Sequence, residues 1–135
     1  MIDAQSTDRG CQPSKTDFRF NGVQIGTRVV PAAGAARGGD WCEAFAIDGD
    51  IIALSIGDVC GHGAEKYDAM VAIRQAIREA SLRGLSPAET LAEANRFLAR
   101  YDPGESATAV FGLLDTRRRT LVYANAGHPA PLMVG

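Results

Sequence analysis

Hydrophobic and polar positions change their period several times along this chain, and each change predicts an element. Residues 1–17 are polar and aperiodic, carry Pro13, and read as a flexible tail ahead of a folded portion spanning 18–135. Residues 22–30 read as a strand, followed by the Gly/Ala-rich loop PAAGAARGGD. Two apolar runs, CEAFAI and IIALSIG, flank Asp48-Gly49-Asp50. A DG pair between such runs predicts a hairpin, with the glycine supplying a positive φ.

The second run ends in the loop GDVCGHG, after which the period becomes helical. Met70, Ile73, Ile77 and Ala80 recur at three- and four-residue steps and form one apolar stripe, stopped at Gly84. A second helix starts at Ser86, where Ser86, Pro87 and Glu89 make a capping box with proline in the first turn. Leu91, Ala94 and Leu98 continue its buried face, and Asp102-Pro103-Gly104 ends it. The segments ATAVFGLLD and TLVYANA are two strands joined by Thr116-Arg117-Arg118-Arg119. That arginine run is either a phosphate or partner patch or, more commonly, a solvated hairpin tip. Strands, two helices, then strands with hairpin connections predict an α+β fold, an antiparallel sheet covered by helices on one face.

Composition narrows the function. The 135 residues fit one domain, and a net charge of -2 from 14 basic and 16 acidic side chains argues against nucleic acid or an acidic membrane surface as the main partner. No apolar run approaches the roughly 18 residues of a membrane helix, and MIDAQSTDRG does not read as a secretory signal. Cys11, Cys42 and Cys60 are odd in number and widely spaced, so they do not make a disulfide framework, and the chain is expected to be cytoplasmic.

Two stretches can carry chemistry. In Gly38-Gly39-Asp40-Trp41 two glycines precede a carboxylate and an aromatic ring. In Gly57-Asp58-Val59-Cys60-Gly61-His62-Gly63 a carboxylate ends a buried strand inside a glycine-framed loop. Asp40 and Asp58 flank one hairpin, so their strands are neighbours. Two carboxylates converging on one sheet edge repel unless a cation neutralises them, and oxygen-only ligation suits Mg²⁺ or Mn²⁺. The plainer alternative makes Asp58 a helix cap and Asp40 a turn residue. His62 is a general acid, a metal ligand or a loop histidine. Cys42 and Cys60 read as small buried fillers, since no C-x-x-C spacing supports zinc. His128, in ANAGHP, either faces the site or only shapes a turn.

The ordered set GGDW, GDVCGHG, a helix carrying Met70, ATAVF and LVYANAGHPAPLMV resembles the bacterial PPM-type phosphatases, the SpoIIE-like relatives of protein phosphatase 2C. The resemblance runs from about Val29 to Gly135. It implies a sandwich of two antiparallel sheets flanked by helices. It implies a metal-dependent serine/threonine phosphatase with a two-metal Mn²⁺ or Mg²⁺ centre, acting on a phosphoprotein such as an anti-sigma-factor antagonist. By position, Asp58 would bridge the metals, the Val59 carbonyl would be a further ligand, and Asp40 would hold a metal directly or through its water. The nucleophile would be metal-bound hydroxide, without a covalent enzyme intermediate.

The sequence departs from the family pattern at Cys42 and Glu43, where Tyr and Asp are usual, at Cys60 in place of Ser, and at Glu65, Lys66 and Tyr67 in place of small residues. The family's pattern continues past the AGHP strand with two further aspartate stretches, which this sequence does not contain. The expectation is therefore an incomplete metal centre, in a fragment or a short and inactive relative serving as an interaction module. Uncovered apolar surface in such a chain predicts a homodimer.

Overall fold

The computed structural model describes residues 14–31, 38–61 and 64–135. Its elements run β1 (Ser14–Phe20), β2 (Val23–Val29), β3 (Asp40–Ala46), β4 (Ile51–Val59), α1 (Ala64–Leu82), α2 (Pro87–Tyr101), β5 (Ala107–Asp115) and β6 (Thr120–Ala126). β1 and β2 form a two-stranded antiparallel sheet; β3-β4-β5-β6 form a four-stranded one, every neighbour antiparallel. The fold is α+β, with two antiparallel sheets and two helices.

The tail boundary needs correction. Ser14–Asp17 are strand, and the boundary at residue 17 falls inside β1. Asn21 (φ 47°) and Gly22 (φ 80°) both occupy the left-handed region, which gives the tight turn that matches strand twist. That turn pairs Phe20 with Val23 and, at the far end, Ser14 with Val29. Polar residues gain order here from a backbone ladder, which apolar periodicity does not reveal. The rest of the predicted tail, residues 1–13, lies outside the described residues.

The β3–β4 hairpin forms where Asp48-Gly49-Asp50 predicts it, by a different device. Gly49 is not among the positive-φ glycines. The Asp48 carboxylate instead accepts the amides of Asp50 (2.8 Å) and Ile51 (2.9 Å), an Asx turn. The helix signals hold closely. Met70, Ile73, Ile77 and Ala80 are all buried, and Gly84 (φ 83°) ends the first helix. Ser86 Oγ accepts the Glu89 amide while Glu89 accepts the Ser86 amide, closing the capping box ahead of Pro87. The arginine run is a hairpin tip, with the Asp115 carboxylate accepting the amides of Arg117 and Arg118.

Strand alternation sorts the large sheet into two faces. On β3, β4 and β5 odd positions face the helices: Trp41, Phe45, Ala53, Val59, Ala109 and Phe111 pack with Ala69, Met70, Ile73, Ile77, Ala94 and Leu98 in one buried cluster; on β6 the parity is reversed. The remaining positions form the opposite face. There Ile52 is fully buried, while Ile56, two steps along the same strand, is 42% exposed. The tip of the β1–β2 hairpin is pinned at the Ile52 end, where Asn21 Nδ2 donates to the Gly49 carbonyl at 2.6 Å. At the other end of this face lie the two aspartates.

Candidate active site

Asp40 opens β3, and Asp58 is the penultimate residue of β4. The register places them directly opposite each other, and it continues from Asp58 to Thr108 on β5. Residues opposite each other in a sheet share a face, so Asp40, Asp58 and Thr108 form a row across three strands. Neighbours in such a row typically have Cβ atoms about 4.5–5.5 Å apart.

The residues between the aspartates hold this register. Trp41 is opposite Gly57, on the helix face. A Cβ at Gly57 would lie 2.2 Å from the Trp41 ring, so only glycine admits the indole there. The buried indole Nε1 donates to Ser55 Oγ at 2.8 Å. A slip of β3 by one residue would leave that donor unpaired and turn Asp40 away from Asp58, into the core. The register in the apolar layer thus dictates that the carboxylates meet on the other face.

Meeting has an electrostatic consequence. The Asp58 carboxyl is pushed above its ordinary range, first by burial, then by a hydrogen bond with Asp40 and by the repulsion of that second carboxylate; His128 pulls it back down. A pair in this state takes up a proton or a cation. Val59, the next residue, buries its side chain completely, and its amide donates to the Gly39 carbonyl at 3.1 Å. A Cβ at Gly39 would stand 2.8 Å from the Val59 carbonyl oxygen. Glycine keeps that oxygen clear beside the acidic pair. The donor set is thus all oxygen, and it fits a hard divalent cation.

The remaining candidates separate. His128 joins the row, its Nδ1 lying 2.9 Å from Thr108 Oγ1. His62 lies outside the described residues. Cys42 and Cys60 are free thiols, and the filler expectation is corrected for Cys60, which is exposed beyond the end of β4. Its amide is tied to the Ser106 carbonyl at 2.8 Å, so the strand end and not the thiol is anchored. Cys42 is half-buried, and burial pushes its thiol pKa up, away from a reactive thiolate. Among the described residues no group of three or more His, Cys, Asp or Glu side chains gathers; the aspartates are a pair.

Sequence reading missed Thr108 as a site residue. The segment ATAVF marks a strand, but only the register reveals which side chain lands beside Asp58. It also treated Lys66 as a mild departure. Lys66 Nζ pairs with Glu105 at 2.7 Å, Glu105 being 6% exposed, and so ties the start of α1 to the segment before β5.

Fold and site together define the class: an α+β domain whose sheet end presents two opposed carboxylates beside an open backbone carbonyl. The family model described as Stage II sporulation protein E (SpoIIE) matches residues 48–135. The chain is 30% identical over 105 residues to Phosphoserine phosphatase RsbP of Bacillus subtilis (strain 168), covering 74% of this chain and 26% of that protein. It is 38% identical to the crystal structure of the RsbU and RsbW domains of Rv1364c from Mycobacterium tuberculosis, with a TM-score of 0.62, covering 73% of this chain and 27% of that one. The chain therefore spans about a quarter of the length of these relatives. It belongs to the SpoIIE family of PPM-type phosphatases.

Proposed function

We propose that this chain is the part of a metal-dependent phosphoserine/phosphothreonine phosphatase that supplies the first carboxylate pair. The observation that carries this reading is the Asp40–Asp58 pairing on one sheet face, with Asp58 driven toward a proton or a cation. Asp58, the Val59 carbonyl and Asp40 are the residues that would hold a divalent cation. Mn²⁺ or Mg²⁺ bound there would acidify a water and withdraw charge from the phosphoryl oxygens. The chain's own contribution is orientation: the Trp41–Gly57 contact holds the register, and Gly39 leaves room beside the Val59 oxygen. The reaction supported would be transfer of the phosphoryl group from serine to water, with phosphate released and the serine oxygen taking up a proton.

The substrate class we propose is a phosphoprotein of regulatory signalling, such as an anti-sigma-factor antagonist. The name of the Bacillus subtilis relative, a phosphoserine phosphatase, supports phosphoserine as the target group. The test is Mn²⁺-dependent phosphate release from a phosphoserine peptide, wild type against Asp58→Asn. Loss of that carboxylate charge should lower release by at least about 100-fold, the scale of one preorganised electrostatic contact. Equal release from both proteins would sink the assignment.

A second reading has an observation of its own. Among the described residues no group of three or more His, Cys, Asp or Glu side chains is arranged to hold a metal ion, His128 standing further along the row. That favours a non-catalytic module that recognises a partner protein without hydrolysing it. It predicts partner binding that is equal in wild type and Asp58→Asn, with no metal-dependent release from either.

A further inference from the structure

The segment after β6 makes a turn that does not need a histidine, yet the histidine side chain is held. Asn125 Oδ1 accepts the His128 amide at 2.9 Å, and Asn125 Nδ2 donates to the His128 carbonyl at 2.8 Å. Both bonds use the backbone of residue 128, so any residue there would make them. The bridge between Ala109 and Gly127 brings this turn against β5. The imidazole is then directed by a separate contact, between Nδ1 and Thr108 Oγ1 at 2.9 Å. Thr108 stands opposite Asp58, so the row runs Asp40, Asp58, Thr108, His128 along one end of the sheet.

The contact with Thr108 decides what the other ring nitrogen does. If the Thr108 hydroxyl donates to Nδ1, the neutral ring carries its proton on Nε2. If the ring is charged, Nδ1–H donates to Thr108 and Nε2 again carries a proton. Only a neutral ring protonated at Nδ1 would leave Nε2 bare. No hydrogen-bond partner for Nε2 occurs among the described residues, and His128 is half-buried.

We propose that His128, oriented by Thr108 and Asn125, donates its Nε2–H to the phosphoryl group received at the Asp40–Asp58 pair. This rests on the phosphatase reading for its substrate. It adds a phosphate-contacting residue, His128, and a positioning residue, Thr108, to the carboxylates. A fixed donor next to two carboxylates gives an anionic substrate one neutral or cationic contact in an otherwise repulsive place.

The test uses the 135-residue chain and has two arms. In the first, imidazole nitrogen resonances are recorded in Mg²⁺ while inorganic phosphate is added. The chain has two histidines, and the signal lost in His128→Gln identifies the ring. We expect Nε2 to be the protonated nitrogen of the neutral ring and its resonance to move with phosphate. Thr108→Val should abolish both effects, and Thr108→Ser should restore them. A neutral ring protonated at Nδ1, or a ring that phosphate leaves unmoved, overturns the proposal even where no turnover is seen. In the second arm, phosphoserine-peptide hydrolysis is compared among wild type, Asp58→Asn and His128→Gln. Removing one preorganised donor should lower kcat by about 100-fold or more. Hydrolysis that is lost in Asp58→Asn but unchanged in His128→Gln overturns this inference and leaves the phosphatase reading standing. Hydrolysis that persists in Asp58→Asn sinks that reading, and the phosphate titration then decides His128 alone.

Discussion

The two faces of the four-stranded sheet are built from alternate residues of the same strands and do opposite work. The face toward α1 and α2 is closed. Phe111, Ala53 and Val59 have no exposed surface; Trp41 donates to Ser55, and one oxygen of Glu43 pairs with Arg78, whose guanidinium also lies 4.2 Å from the Phe45 ring centre. The opposite face is only partly covered: Ile52 and Val110 are buried, while Leu121, beside the β5–β6 turn, is 46% exposed. Toward its other end Ile56 and Tyr123 are 42% and 48% exposed, and the carboxylate pair follows. One step along the chain separates the roles. Trp41 belongs to the core and Asp40 to the site; Gly57 and Val59 belong to the core and Asp58 between them to the site. Stability and chemistry are thus kept apart by a side-chain period of two, and the packed face sets the geometry of the exposed one.

Substitutions on the two faces should break this contrast unequally. Phe111→Ala removes a large, fully buried ring beneath both helices and should cost about 3–5 kcal/mol in urea unfolding. Gly57→Ala forces a methyl against the Trp41 ring and should cost about 1–3 kcal/mol. It should also disturb the site, since the Trp41–Gly57 contact sets the Asp40–Asp58 register. A Gly57→Ala protein of wild-type stability would remove that link between core and site.

Asp58→Asn should act in the other direction. Its folded-state pKa is raised, so the folded chain holds that proton more tightly than the unfolded chain. The contribution favours folding below the ordinary carboxylate range, about pH 4, and is lost as pH rises through the elevated folded value. In chelator, at neutral pH, Asp58→Asn should melt above wild type, and the gap should narrow toward pH 3. An equal gap at both pH values would mean the paired charge is not its cause. Ile56→Thr, on the open face, should change stability by no more than about 0.5 kcal/mol by the same unfolding measurement. A loss approaching that of Phe111→Ala would show that the face is covered in solution.

Much of this was legible in residue order, because local rules wrote it. The stripe from Met70 to Ala80, the box Ser86–Glu89 and the stop at Gly84 each depend on neighbours within one or two helical turns, so periodicity and capping chemistry predict them. The hairpin around Asp48 was legible too, though its turn is closed by the Asp48 carboxylate and not by Gly49. β1 was not legible, because Ser14–Asp17 are polar and owe their strand to pairing with β2. That Asp40 and Asp58 lie on neighbouring strands followed from the hairpin between them.

The sequence by itself thus determined every element but β1, the adjacency of the two carboxylates and the family motifs. Tertiary structure alone decided which side chains share the row with Asp58. Thr108 is 50 positions away by numbering and reaches Asp58 only through the β4–β5 register, and His128 reaches Thr108 only through the turn fixed by Asn125. Local propensity acts over a few residues, whereas register is set by the burial of a whole face. A residue's place in a row across strands therefore depends on apolar contacts elsewhere in the sheet, here the indole of Trp41 seated over Gly57.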